Sequence, residues 1–216
     1  MIGKAERFDR VLAWFQQNMP IAETELEYQN PFHLLVAVIL SAQCTDKRVN
    51  QITPALLERF PDPYFMAAAQ PEEVFTYIRS CSYPNNKAKH LVEMARKLVE
   101  LFNGVVPADV DELQRLPGVG RKTAHVIASV VFNQPVMAVD THVFRVAARI
   151  GLSVNAKTPL ETEKQLMAFI PPELAPKAHH WLILHGRYVC KARKPDCPQC
   201  GLTAWCDFFF RSGQQE

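Results

Sequence analysis

No stretch of this sequence stays apolar for long. The longest uninterrupted aliphatic run, Leu34 to Leu40, is seven residues, far short of the roughly 20 that cross a bilayer as a helix. The opening segment, MIGKAERFDR, is charged and has no apolar middle, so neither a signal peptide nor a membrane span is expected, and a cytoplasmic location follows. Charge of one sign is also scarce. A net charge of +2 excludes a broadly basic field, and any affinity for nucleic acid must come from local clusters of lysine and arginine. No alternation long enough for a buried-face strand is present, and no internal repeat or low-complexity linker interrupts the chain. Glycine is sparse, with 8 in 216 residues, which makes its positions informative.

What remains is helical periodicity. Between Asn86 and Asn103 the residues Ala88, Leu91, Val92, Ala95, Leu98, Val99 and Phe102 recur at the spacing of one helix face, and Gly104 supplies a stop. Phe8, Val11, Leu12 and Phe15 mark an N-terminal helix ended by Pro20. Asn30-Pro31 caps a second that is predicted to run through the aliphatic stretch to Gln43, and Pro71 with Glu72 and Glu73 opens another. Thr158-Pro-Leu-Glu161 is a capping box for a helix predicted to reach Pro171. Asp140 reads as the N-cap of a helix through Ile150, stopped by Gly151; the short run Val136 to Val139 is the one extended-looking piece. The expected class is all-α.

Two glycines fall in the window QRLPGVGRKTAHV, residues 114 to 126, and the chain turns basic directly after them. Arg121 and Lys122 at a helix start oppose its macrodipole, so an outside anion is expected to compensate. Gly118 and Gly120 let successive N–H groups converge into a phosphate seat, with Leu116 and Val119 anchoring the turn in the core and Arg121 pairing with the phosphate. An ordinary helix-to-helix turn is the plain alternative. The following helix, Arg121 to Phe132, is apolar nearly all round, which leaves Lys122 at the wet edge of a dry core. It either grips phosphate or acts as an amine nucleophile. Asp140 is likewise either a simple cap or a carboxylate available for proton transfer.

Cysteine use is uneven. Cys44 and Cys81 stand alone, whereas Cys190, Cys197, Cys200 and Cys206 form the pattern C-x6-C-x2-C-x5-C. Four thiols in so short a loop read as metal ligands. A single C-x2-C pair, where four-cysteine zinc sites usually use two, favours iron–sulfur over zinc. Arg187, Lys191, Arg193 and Lys194 surround the cluster without an intervening acid, a patch suited to backbone phosphates or simply a solvated basic loop.

With LPGVGRKTA, VDTHVFR, HHWLILHGRYVC and the cysteine spacing in that order, the chain resembles endonuclease III, a family of helix-hairpin-helix DNA glycosylases, over nearly its whole length. The resemblance implies two helical domains with a DNA groove between them: residues 24–134 carrying the helix-hairpin-helix, and a discontinuous domain, 1–23 with 135–216, carrying a [4Fe-4S] cluster on Cys190, Cys197, Cys200 and Cys206. It implies excision of oxidised pyrimidines from duplex DNA and cleavage at abasic sites, by a monomer. Lys122 matches the family's nucleophile and Asp140 its catalytic aspartate. Gln43, in LSAQCTD, matches the residue that fills the space left by a flipped base. Where the family commonly has Gly-Leu-Tyr before Asn-Ser-Lys-Ala, this chain has Ser82-Tyr83-Pro84 before NNKA, so the wedge residue is expected to be Tyr83, with a buried ring as the alternative. Adenine-excising relatives usually lack the lysine and carry another domain. A noncatalytic DNA-binding module is the competing function.

Overall fold

A computed structural model describes residues 2–213. Its helices are α1 (Lys4–Asn18), α2 (Pro31–Ser41), α3 (Asp46–Arg59), α4 (Pro63–Ala68), α5 (Pro71–Ile78), α6 (Pro84–Phe102), α7 (Val110–Gln114), α8 (Arg121–Phe132), α9 (Thr141–Ile150), α10 (Pro159–Met167), α11 (Ala175–Tyr188) and α12 (Asp207–Arg211). Among the described residues there is no strand, in line with the all-α expectation. The chain divides into two compact units, Thr24–Asn133 and the discontinuous Met1–Glu23 with Gln134–Glu216.

In the unit Thr24–Asn133, α2 is the central rod. Every residue from Phe32 to Leu40 is buried, because the run is apolar on all faces and is covered by α3, α6 and α8. Its start is set by Asn30, whose side chain accepts from His33 N at 2.9 Å, with Pro31 at the first helical position. The helix ends at Ser41 and not at Gln43. Gln43 takes the left-handed conformation, φ +54°, which cannot continue a helix. Pro84 at the first position of α6 starts that helix two residues before the periodicity suggested, since a proline needs no amide partner there. A buried stripe including Ala88, Leu91, Val92, Ala95 and Leu98 then packs onto α4 and α5.

The other unit is built on aromatic stacking. Phe15 of α1 lies parallel to Trp181 of α11, centroids 5.6 Å apart, and Trp181 donates its indole N–H to Met19 O at 2.7 Å, so a fully buried Trp keeps its polar atom satisfied. Phe8 stacks on Phe169 at 4.8 Å. Asp140 caps α9 and Gly151 ends it with φ +93°, as the sequence pattern suggested. A Cβ at Gly151 would collide with Arg7 and Asp207, where the Arg7 guanidinium bridges the Asp207 carboxylate and Gly151 O. α10 stops at Met167 rather than at Pro171: the chain tightens through Phe169 N and Ile170 N, both bonded to Leu166 O.

Candidate functional site

The turn between α7 and α8 coils through two backbone bonds of 3.1 Å, Leu116 N to Leu113 O and Val119 N to Leu116 O. Leu116 and Val119 are buried and hold it to the core. The two glycines serve different ends. Gly118 needs its freedom, with φ +79°, and a Cβ there would come 3.0 Å from His90 Cβ. Gly120 has an ordinary φ of −89°, and a Cβ there would meet nothing within 4 Å; its missing side chain leaves open space before the first amides of α8. That helix has no side-chain cap and no acid in its first turn, so its positive pole is directed at solvent beside exposed Arg121 and Lys122.

The segments bearing Gln43 and Tyr83 are drawn together within the same unit. Ser82 Oγ donates to Gln43 O at 2.5 Å. Both Gln43 and Tyr83 are left-handed, φ +54° and +53°, and both side chains are exposed, Tyr83 by 64%. This excludes the buried-ring alternative for Tyr83. A non-glycine residue in this conformation costs about 1–2 kcal/mol, a strain retained where surroundings over-determine it. Close to both segments lies Lys87, a residue that sequence reasoning missed. It is 5% exposed, and its ammonium donates to Leu40 O at 2.8 Å and Ala42 O at 2.7 Å, closing the C-terminus of α2. Burial pushes its pKa below the usual lysine value, partly countered by Cys81 and Cys44 nearby. No sequence signal separates Lys87 from a solvated lysine.

Asp140 belongs to the other unit. Its Oδ1 accepts from His142 N and Val143 N, both at 2.8 Å, and its Oδ2 lies 3.0 Å from His142 Nδ1. The cap and the carboxylate are therefore the same structure, the N-cap of α9.

All four clustered cysteines are free thiols and line one small cavity together with Ile150, His185 and Phe208. Among the described residues no three His, Cys, Asp or Glu side chains converge on a single-ion position. Burial raises the thiol pKa of Cys200, to about 11, and those of Cys197 and Cys206, where neighbouring sulfurs add to the rise. Turning these groups into thiolates thus requires a cationic centre among them. His185 packs on the same wall with Nε2 3.6 Å from Cys200 Sγ, and burial pushes its pKa down to about 4, so it presents a neutral ring. The basic loop is held by arginines that the sequence did not single out. Arg149 donates to Lys191 O at 2.7 Å, Ala192 O at 3.0 Å and Cys190 Sγ at 3.5 Å, and Arg145 donates to Gly186 O at 2.8 Å. Lys191, Arg193 and Lys194 are consequently exposed, with Arg187 half-buried.

This combination of hairpin, aspartate cap and cysteine loop has known counterparts. The model of the HhH-GPD superfamily base excision DNA repair proteins matches residues 36–172, which contain the hairpin, Lys122 and Asp140. Endonuclease III of Rickettsia conorii is 46% identical over 207 residues, 96% of this chain and 98% of that one; endonuclease III of Escherichia coli is 42% identical over 207 residues, 96% and 97%. The chain belongs to the endonuclease III family. Among solved structures, a trapped endonuclease III–DNA covalent intermediate matches this fold with a TM-score of 0.92 at 44% identity, over 98% of this chain and 99% of that one. A non-covalent endonuclease III–DNA complex matches with 0.93 at 43%, over the full length of both. Among the described residues no helix is long and apolar enough to cross a membrane.

Proposed function

We propose that this endonuclease III family member is a bifunctional DNA glycosylase and abasic-site lyase that acts on oxidised pyrimidines in duplex DNA. The observation that carries the reading is the 44% identity, over 98% of the chain, to an endonuclease III held in a trapped covalent intermediate with DNA. The phosphate backbone is received by the open amides of α8, with Leu116, Gly118, Val119, Gly120 and Arg121 shaping the seat, while Arg187, Lys191, Arg193 and Lys194 add contacts from the basic loop. The target nucleotide leaves the stack, and Gln43 and Tyr83 fill the vacated space.

Lys122 Nζ, as the free amine, attacks the sugar C1′. The bond from C1′ to the base breaks and its electron pair leaves with the base, which takes up a proton. Asp140 stabilises the positive charge that develops on the sugar and assists the proton movements that open the ring to a lysine Schiff base. Loss of a C2′ proton then expels the 3′ phosphate and nicks the strand. Water regenerates the amine.

Cys190, Cys197, Cys200 and Cys206 would hold a [4Fe-4S] cluster. The donor set fits: four free thiols line one cavity, with Asp196 also on its wall, and four cysteine thiolates are the ligands such a cluster takes. When bound it would fix the loop that presents the basic residues.

The test is borohydride trapping on a duplex with an abasic site. Wild-type protein forms a stable adduct; Lys122→Gln loses the adduct and strand cleavage while largely keeping DNA affinity, and Asp140→Asn slows base release. A Lys122→Gln adduct formed at the wild-type rate would place the nucleophile elsewhere. No adduct with the wild type would leave a DNA-binding module.

A further inference from the structure

Outside the cysteine loop two thiols remain, and the fold puts them side by side. Cys44 follows the end of α2 and Cys81 follows the end of α5, 37 positions apart in sequence, yet their sulfurs are 3.8 Å apart. Each sits in a tight turn, with Cys44 N bonded to Ser41 O at 3.0 Å and Cys81 N to Ile78 O at 2.8 Å. The next residue on one side and the preceding residue on the other are joined by the Ser82 Oγ bond to Gln43 O. Cys44 is half-exposed and Cys81 is buried. Neither is needed by the reaction, and no metal group of three or more such side chains includes them among the described residues.

We propose that Cys44 and Cys81 form a reversible disulfide site, oxidised by small-molecule disulfides, that ties together the two segments carrying Gln43 and Tyr83. Cys44 meets the oxidant first because it is the more accessible. Its sulfur attacks one sulfur of the small disulfide, and the other half leaves as a thiol that carries off the proton. Cys81 sulfur then attacks Cys44 Sγ in the mixed disulfide and expels the second small thiol, which takes the Cys81 proton. Two protein thiols are oxidised and one small disulfide is reduced to two thiols. The positive charge of Lys87 beside both sulfurs favours the attacking thiolate of Cys81, against the burial that raises its pKa to about 11. Intracellular disulfides of this kind are usually transient and redox-sensing. Shortening the contact from 3.8 Å to the roughly 2.05 Å of a bond must move turns that already carry left-handed residues at 43 and 83. An effect on DNA rests on the proposed role of those residues; the disulfide itself does not.

Reduced protein is incubated with glutathione disulfide and mapped by peptide mass spectrometry without reduction. The expected product is a linked peptide pair containing Cys44 and Cys81, released by dithiothreitol and absent from Cys44→Ser. Recovery of glutathione mixed disulfides alone, or of both thiols unreacted, overturns the proposal. The oxidised protein is further expected to bind lesion-containing duplex at least about 5-fold more weakly, on the scale of one lost stacking contact, with undamaged duplex unaffected and reduction restoring affinity. If the link forms while both affinities stay unchanged, the disulfide site stands and the insertion role of Gln43 and Tyr83 falls.

Discussion

Tyr83 concentrates the residue-scale argument. An aromatic side chain that is 64% exposed, on a backbone held left-handed, contributes little to the core and costs conformational energy. Such a residue persists when something else uses it. If its ring stacks where the flipped nucleotide was, Tyr83→Ala should weaken binding to lesion duplex by roughly 5- to 150-fold, the range of one base–aromatic stack. Tyr83→Leu should recover part of the loss, since leucine fills space without stacking. Undamaged duplex should be nearly unaffected at fixed salt, because phosphate contacts are common to both DNAs. Equal losses on both DNAs would refute the wedge. Because the ring is not packed in the core, a large drop in stability is not expected to obscure the comparison.

At the scale of elements, the hairpin α7–turn–α8 separates folding from binding through its two glycines. Gly118→Ala forces a side chain onto φ +79° and against His90, so stability should fall by about 1–2 kcal/mol in urea unfolding. Gly120→Ala has an ordinary φ and open space, so stability should stay within about 0.5 kcal/mol, while DNA affinity drops because the methyl group stands before the amides of α8. A stable Gly118→Ala, or a Gly120→Ala that binds normally, would break this division.

The same elements explain what the sequence made legible. α8 and α9 were readable to the residue because their ends are written in local chemistry, Pro-Gly-Val-Gly before one and an Asp cap and Gly stop around the other. α4 and α7 are six and five residues long, too short to show a period. α3 carries Pro54 inside it, which breaks the pattern the eye follows. The helix of HHWLILHGRY, α11, is buried on several faces and shows no stripe. Lys87, Arg145 and Arg149 were invisible for a different reason: each bonds backbone carbonyls distant in sequence, and only the folded chain says which lysine or arginine is turned inward.

For the whole molecule, the discontinuous unit sets the last test. Its N-terminal helix is stapled to the tail by Arg7 and Asp207, and Trp14 lies so close to Gly201 that a Cβ there would sit 2.5 Å from the indole. The cysteine loop is thus a wall of this unit's core and not an appendage, as buried Leu202 and Cys206 also indicate. Losing the proposed cluster should leave four thiols, those of Cys197 and Cys206 buried, without their cationic centre and loosen the packing around Trp14 and Trp181. All three tryptophans, Trp14, Trp181 and Trp205, belong to this unit, so tryptophan fluorescence reports its unfolding alone, whereas far-ultraviolet circular dichroism follows the helices of both. Purified wild-type protein should be yellow-brown and contain iron and acid-labile sulfide in equal amounts. Cys197→Ser should lose the colour, and its fluorescence transition should move to lower denaturant, ahead of the dichroism transition, which retains a late component from the unit Thr24–Asn133. Zinc without iron or sulfide would replace the cluster by a single ion. Coincident, unshifted transitions in Cys197→Ser would show that the loop carries no share of the unit's stability.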